Sequence, residues 1–97
     1  MNHKICNRLL RREEVADDGN LYSYELSVRE GNTTADWRLP LYSIKVNMTD
    51  ITGKSREEDA KDVFSSRVRA DEFFDKIVKN LATPIDLAYI IEDEMAD

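Results

Sequence analysis

The chain has 97 residues, 41% hydrophobic and 35% charged, which supplies a core for one folded domain and is too apolar for a disordered segment. Its net charge of −6 repels phosphate backbones and anionic membrane surfaces, and its single cysteine, Cys6, excludes an intrachain disulfide framework. No apolar run approaches the roughly 18 residues of a membrane span, so the expected setting is the cytoplasm, with no membrane association and no nucleic-acid partner.

The first element is a hairpin. In ICNRLLRREEVADDGNLYSYELSV, Asp18-Gly19 is a two-residue turn whose positive φ angles match the twist of antiparallel strands. With those residues as the loop, Asp17 is expected opposite Asn20, Val15 opposite Tyr22 and Leu9 opposite Val28. Tyr22, Tyr24, Leu26 and Val28 alternate with Ser23, Glu25 and Ser27, the period of a strand with one buried face. The basic residues Lys4, Arg8, Arg11 and Arg12 precede the turn, and Glu13 and Glu14 follow them at once, so the group reads as a solvated strand face. Cys6, with only His3 as a nearby base, reads as a small strand residue rather than a reactive thiol.

A polar connection, EGNTTAD, leads to WRLPLYSIKVNMTDI, where Tyr42, Ile44, Val46 and Met48 alternate as a further strand. Trp37, Leu39 and Leu41 take the opposite parity, and Pro40, which cannot donate to a ladder, predicts an edge or a bulge that turns both sets toward one core. The sequon-like Asn32-Thr33-Thr34 and Asn47-Met48-Thr49 mean only a polar loop and a strand end without a secretion signal. Residues 53–62, GKSREEDAKD, carry no large apolar side chain and read as an exposed loop, followed by a short strand at Val63-Phe64.

Ser65 or Ser66 then caps a helix in which Ala70, Phe74, Ile77, Val78 and Leu81 form one apolar stripe. Thr83 as N-cap, Pro84 in the first helical position and Asp86 in the first turn start a second helix. Its stripe is Leu87, Ala88, Ile91 and Met95, with Ile90 at the shoulder. The expected architecture is α+β: one domain over residues 1–97, with a three- or four-stranded antiparallel β-meander in 3–65 and two C-terminal helices in 66–97 packed on one face.

From Val63 on, the succession Val63-Phe64, Ser65-Ser66, Phe73 to Leu81, Pro84-Ile85-Asp86-Leu87 and Ile91-Glu92-Asp93 resembles a family of small uncharacterised proteins of similar length from Gram-positive anaerobic bacteria. The resemblance rests mainly on residues 63–95 and implies no known activity, cofactor or catalytic residue. Members often carry a histidine at the position of Asp86, a departure that weighs against a metal or acid–base role there.

The inventory for catalysis is poor: there is no Gly-rich phosphate loop, no metal motif and no base positioned beside a nucleophile. No cofactor is expected. Asp86, Asp93 and Asp97 share a helical stripe flanked by Glu92 and Glu94, which reads first as a solvated face; its opposition to the helix dipole suits a basic partner better than a metal ion. Trp37, beside Asp36 and Arg38, reads first as core and second as a partner anchor. The sequence therefore favours a noncatalytic protein-interaction domain contacting its partner through Trp37, Asp86, Glu92, Asp93 and Asp97. The rival is a small enzyme or ligand-binding domain with a pocket between sheet and helix pair. A homodimer joined along the LYSIKVNM strand, which has only Lys45 to discourage edge pairing, or through apolar residues beside Ile90 on the second helix, is a further expectation.

Overall fold

A computed structural model of the chain describes residues 5–31 and 40–95. Four antiparallel strands, β1 (Ile5–Asp17), β2 (Asn20–Gly31), β3 (Leu41–Thr49) and β4 (Ser55–Phe64), lie side by side in chain order, and α1 (Arg67–Lys79) and α2 (Pro84–Met95) follow. The fold is thus α+β with both helices on one sheet face.

The hairpin turn places Asp18 at φ 50° and Gly19 at φ 83°, the pair of positive angles that a two-residue loop of this hand requires. Asp17 faces Asn20 and Val15 faces Tyr22. The expected register fails beyond Arg11, because Leu10 is an extra residue: Leu9 faces Ser27, and Arg8 faces Val28. This bulge turns Leu10 against the core and leaves Leu9 52% exposed.

β2 and β3 pair without interruption from Leu21↔Thr49 to Arg29↔Leu41. Their inner residues Tyr22, Tyr24, Leu26, Val28, Tyr42, Ile44 and Val46 are buried. β3 lies between β2 and β4, so it is a central strand and the expected edge pairing through it is ruled out by its two occupied neighbours. Pro40 stands exposed just ahead of β3 and makes no bulge in it. Leu41 pairs with Arg29 on the side away from the helices, whereas Trp37 and Leu39 lie outside the described residues.

Residues 55–62, read from sequence as loop, are most of β4. Pairing with β3 satisfies the backbone groups on that side while charges decorate an edge strand on both faces, so no apolar alternation is needed to hold it. The irregularity in this part of the sheet is in β4, opposite Tyr42 and Ile44. There Asp62 adopts φ 55°, its N–H donates to Ser43 Oγ at 2.8 Å, and its carboxylate receives Arg29 at 2.9 Å. The detour returns Phe64 to the core opposite Tyr42.

The β3–β4 turn is organised by Asp50, whose Oδ1 accepts from the Thr52 hydroxyl (2.6 Å), the Thr52 amide (2.9 Å) and the Lys54 amide (3.0 Å). The Thr52 hydroxyl first, then the Lys54 amide, hold the Asp50 carboxyl below the usual carboxylate pKa. Because the folded value is the lower one, the stabilisation is present above the unfolded carboxylate pKa and is lost as pH falls through the folded value. An NMR titration should find Asp50 protonating below the usual aspartate range, and Thr52→Val should return its midpoint upward. An unshifted Asp50 in the native protein would contradict this turn geometry.

α1 starts at Ser66, whose hydroxyl accepts from the Arg69 amide. It ends with Ala82 N–H donating to Ile77 O and Leu81 N–H to Val78 O, a Schellman closure in which Leu81 takes the left-handed conformation at φ 50°. Ala70, Phe73, Phe74 and Ile77 are buried, and Val78 and Leu81 pack partly. Phe73, missing from the predicted stripe, stacks at a tilt on Phe64 with ring centroids 5.2 Å apart.

α2 opens on a reciprocal cap: the Asp86 amide donates to Thr83 Oγ1 and the Thr83 amide to Asp86 Oδ2, both at 3.2 Å. Pro84 and Leu87 are buried and Ile90 and Ile91 pack partly, whereas Ala88, expected in the stripe, is exposed. The buried line therefore runs through Pro84, Leu87 and the Ile90-Ile91 pair, one helical position away from the predicted one. Thr83→Ala should cost about 1 kcal/mol in urea titration through loss of this cap. An unchanged midpoint would show that the cap adds nothing here.

Between the helices, Tyr24 Oη donates to the carbonyl of Ala82 at 2.8 Å, tying the interhelical joint to the centre of the sheet. Burial first, then Tyr22 and Asp86, push the phenol up to about 12, so it stays a donor throughout the neutral range.

Candidate interaction surfaces

The sheet–helix interface, where the rival reading placed a pocket, is filled: Tyr24, Leu26, Ile44, Val46, Phe74, Ile77 and Leu87 are all below 2% exposed there. The groups whose pKa departs from the ordinary value serve packing or turns rather than a cavity. Tyr24 and Asp50 are described above. Arg11, raised chiefly by its hydrogen bond to Asp75, lies over the Phe74 ring at 4.6 Å and bonds Asp75 at 2.6 Å and Asp71 at 3.4 Å. Among the described residues, no group of three His, Cys, Asp or Glu is placed to hold a metal ion, and no helix is long and apolar enough to cross a membrane.

The open sheet face is polar. Strand register sets Arg12, Glu25, Lys45 and Asp59 side by side across all four strands, a row of alternating sign. Bordering this row is an open trough of about 410 Å³ lined by Ser27, Ser43, Arg29, Lys45, Asp59 and Asp62 among others. Its cations and anions are interleaved, and the Arg29–Asp62 pair crosses its rim. Such a surface holds water well and presents little apolar area to bury a ligand.

α2 differs. Ile85 and Tyr89, four residues apart and so on one helical face, are 59% and 70% exposed. Glu92 and Asp93 continue that side of the helix and are also exposed. Ile85 further borders a concavity of about 510 Å³ with Pro84, Lys54 and the Arg56 and Glu58 end of β4. The acidic residues around the helix are not equivalent. Glu94 receives Arg69 at 3.5 Å and Lys76 at 3.8 Å from α1, so it joins the two helices.

Of the residues singled out from sequence, Asp86 is engaged in its cap, and Glu92 and Asp93 project from the far half of α2. Seven positions separate Asp86 from Asp93, about 10 Å along a helix axis, so the two do not converge on one small ligand. Trp37 and Asp97 lie outside the described residues. Ile85 and Tyr89 were missed, although a signal existed: they are the large apolar residues of this helix left off its buried line.

A family model described as a family of unknown function (DUF6514) matches residues 4–97. No curated protein and no solved structure matches the chain.

Proposed function

The chain belongs to this DUF6514 family, whose function is unknown, and we propose that it acts as a noncatalytic, cytoplasmic protein-binding domain whose contact face is the outer side of α2. The observation that carries the reading is the exposure of Ile85 and Tyr89 side by side on a helix otherwise anchored by its buried line. Tyrosine supplies large contact area at low conformational cost, and such residues anchor protein interfaces. Glu92 and Asp93 extend the face with negative charge that no basic side chain in the last turn of α2 balances. The partner that fits is a protein surface with an apolar pocket bordered by Lys or Arg, where charge aids encounter and Tyr89 supplies binding energy.

The test is affinity capture from the native host with the wild-type chain and with the Ile85→Ser/Tyr89→Ser chain as baits, after checking that both melt alike. Binding through this face enriches a protein on the wild-type bait that is absent from the variant. Identical captures on both baits would overturn it.

A further inference from the structure

We propose a second contact, independent of α2: two copies of the chain join through antiparallel pairing of β1 with β1, extending the two sheets into one. Among the described residues β1 pairs with β2 alone, so its other edge, 13 residues long, presents unpaired backbone groups. What suits this edge to its own copy is the order of its side chains. Arg8-Leu9-Leu10-Arg11-Arg12 is followed by Glu13-Glu14-Val15-Ala16-Asp17, so reversal of the strand direction brings the basic half of one copy against the acidic half of the other.

The faces decide the register. Directly opposed residues of an antiparallel pair point to the same side of the sheet. On the open face β1 carries Arg12, Glu14 and Ala16, which pair with Glu25, Ser23 and Leu21; on the helix-covered face it carries Arg11, Glu13 and Val15, which pair with Leu26, Tyr24 and Tyr22. A two-fold axis through Glu13 keeps these faces together. Arg12 of each copy then stands opposite Glu14 of the other, and Arg11 opposite Val15. The bulged Leu9-Leu10 step meets Ala16, and Arg8 meets Asp17. The one like-charge contact, Glu13 against Glu13 on the axis, has Arg11 of both copies diagonally beside it.

Exposed apolar area lies along the same edge. Val68, 66% exposed, precedes Asp71 and Asp75 by three and seven positions and so shares the flank of α1 that reaches Arg11, while Leu9 is 52% exposed on β1 itself. The opposite edge lacks this self-complementarity. β4 carries Glu57-Glu58-Asp59 in succession, and self-pairing centred there sets acid against acid.

Sedimentation equilibrium across a concentration series tests the proposal. The wild-type chain should approach twice its 11.2 kDa mass. Arg12→Glu, which brings two carboxylates face to face with Glu14 at both symmetry-related positions of the dimer, should raise the dissociation constant by roughly tenfold or more. Arg12→Glu with Glu14→Arg should restore the dimer, with far-UV CD and melting matching the wild type. If Arg12→Glu fails to fold, Glu14→Arg alone carries the same expectation. A wild-type monomer up to the solubility limit would overturn the proposal, as would a dimer indifferent to both reversals or a double variant that stays monomeric. Growth beyond the dimer would overturn it in favour of head-to-tail pairing of β1 with β4.

Discussion

Phe74→Ala is expected to remove about 3 to 5 kcal/mol from the unfolding free energy, a large part of the roughly 5 to 15 available to a domain of this kind. Phe74 is fully buried at the centre of α1, where the helix crosses the sheet. Its removal has two consequences that a surface aromatic would not share. The ring's volume is left among Leu26, Ile77 and their neighbours, which are held by strand pairing and helix packing and can collapse only in part. In addition, the Arg11 guanidinium loses the ring it lies on at 4.6 Å while Asp71 and Asp75 still hold it in place. Urea denaturation should show a lower midpoint with a similar slope. A loss under about 1 kcal/mol would mean that α1 is not packed through this residue.

Leu87→Ala should cost about 2 to 5 kcal/mol, and its effect should be local as well as global. α1 brings four buried side chains to the sheet, whereas α2 depends on Leu87 and Pro84 with partial help from Ile90 and Ile91. Removing Leu87 takes away a residue of α2 with no exposure at all. Native-state hydrogen exchange should therefore show amides of α2 opening at lower free energy than those of β2 and β3. Uniform protection across α2 and the sheet, with an unchanged denaturation midpoint, would refute the placement of Leu87.

How much of this was legible in the sequence follows from which signals are local. Asp18-Gly19 fixes the hairpin because a short turn sets register by itself, and Ser66, Thr83 and Pro84 mark helix starts through groups within one turn of each other. The register beyond Arg11 was not legible, since nothing local distinguishes Leu10 as an extra residue until Leu26 and Ser27 are set opposite it. Of β4 only the Val63-Phe64 end was legible, and residues 55–62 were missed for a similar reason. A strand is recognised by the apolar residues it buries, and an edge strand held by one neighbour's backbone can carry Arg56, Glu57, Glu58 and Asp59 without burying any of them. Phe73 was overlooked because the stripe through Phe74 already closed one face, and only the return of Phe64 to the core gives it a neighbour.

For the candidate surface, sequence singled out charge where the structure singles out exposure. Asp86 looked like the start of an acidic face and is the reciprocal half of the Thr83 cap; Glu94 looked like its flank and joins α2 to α1. Glu92 and Asp93 keep their exposed position. The apolar residues beside them, Ile85 and Tyr89, lie off the line through Pro84 and Leu87 that faces inward.

The measurement that bears most directly on function is an NMR comparison of the ¹⁵N-labelled chain in two fractions of a native-host lysate, one macromolecular and one of low mass. The macromolecular fraction should broaden or shift Ile85, Tyr89, Glu92 and Asp93, and the low-mass fraction should leave the spectrum unchanged. Shifts at Ser27, Ser43 and Lys45 on addition of the low-mass fraction, with α2 undisturbed by either, would contradict this expectation and mark the open sheet face as a small-ligand site.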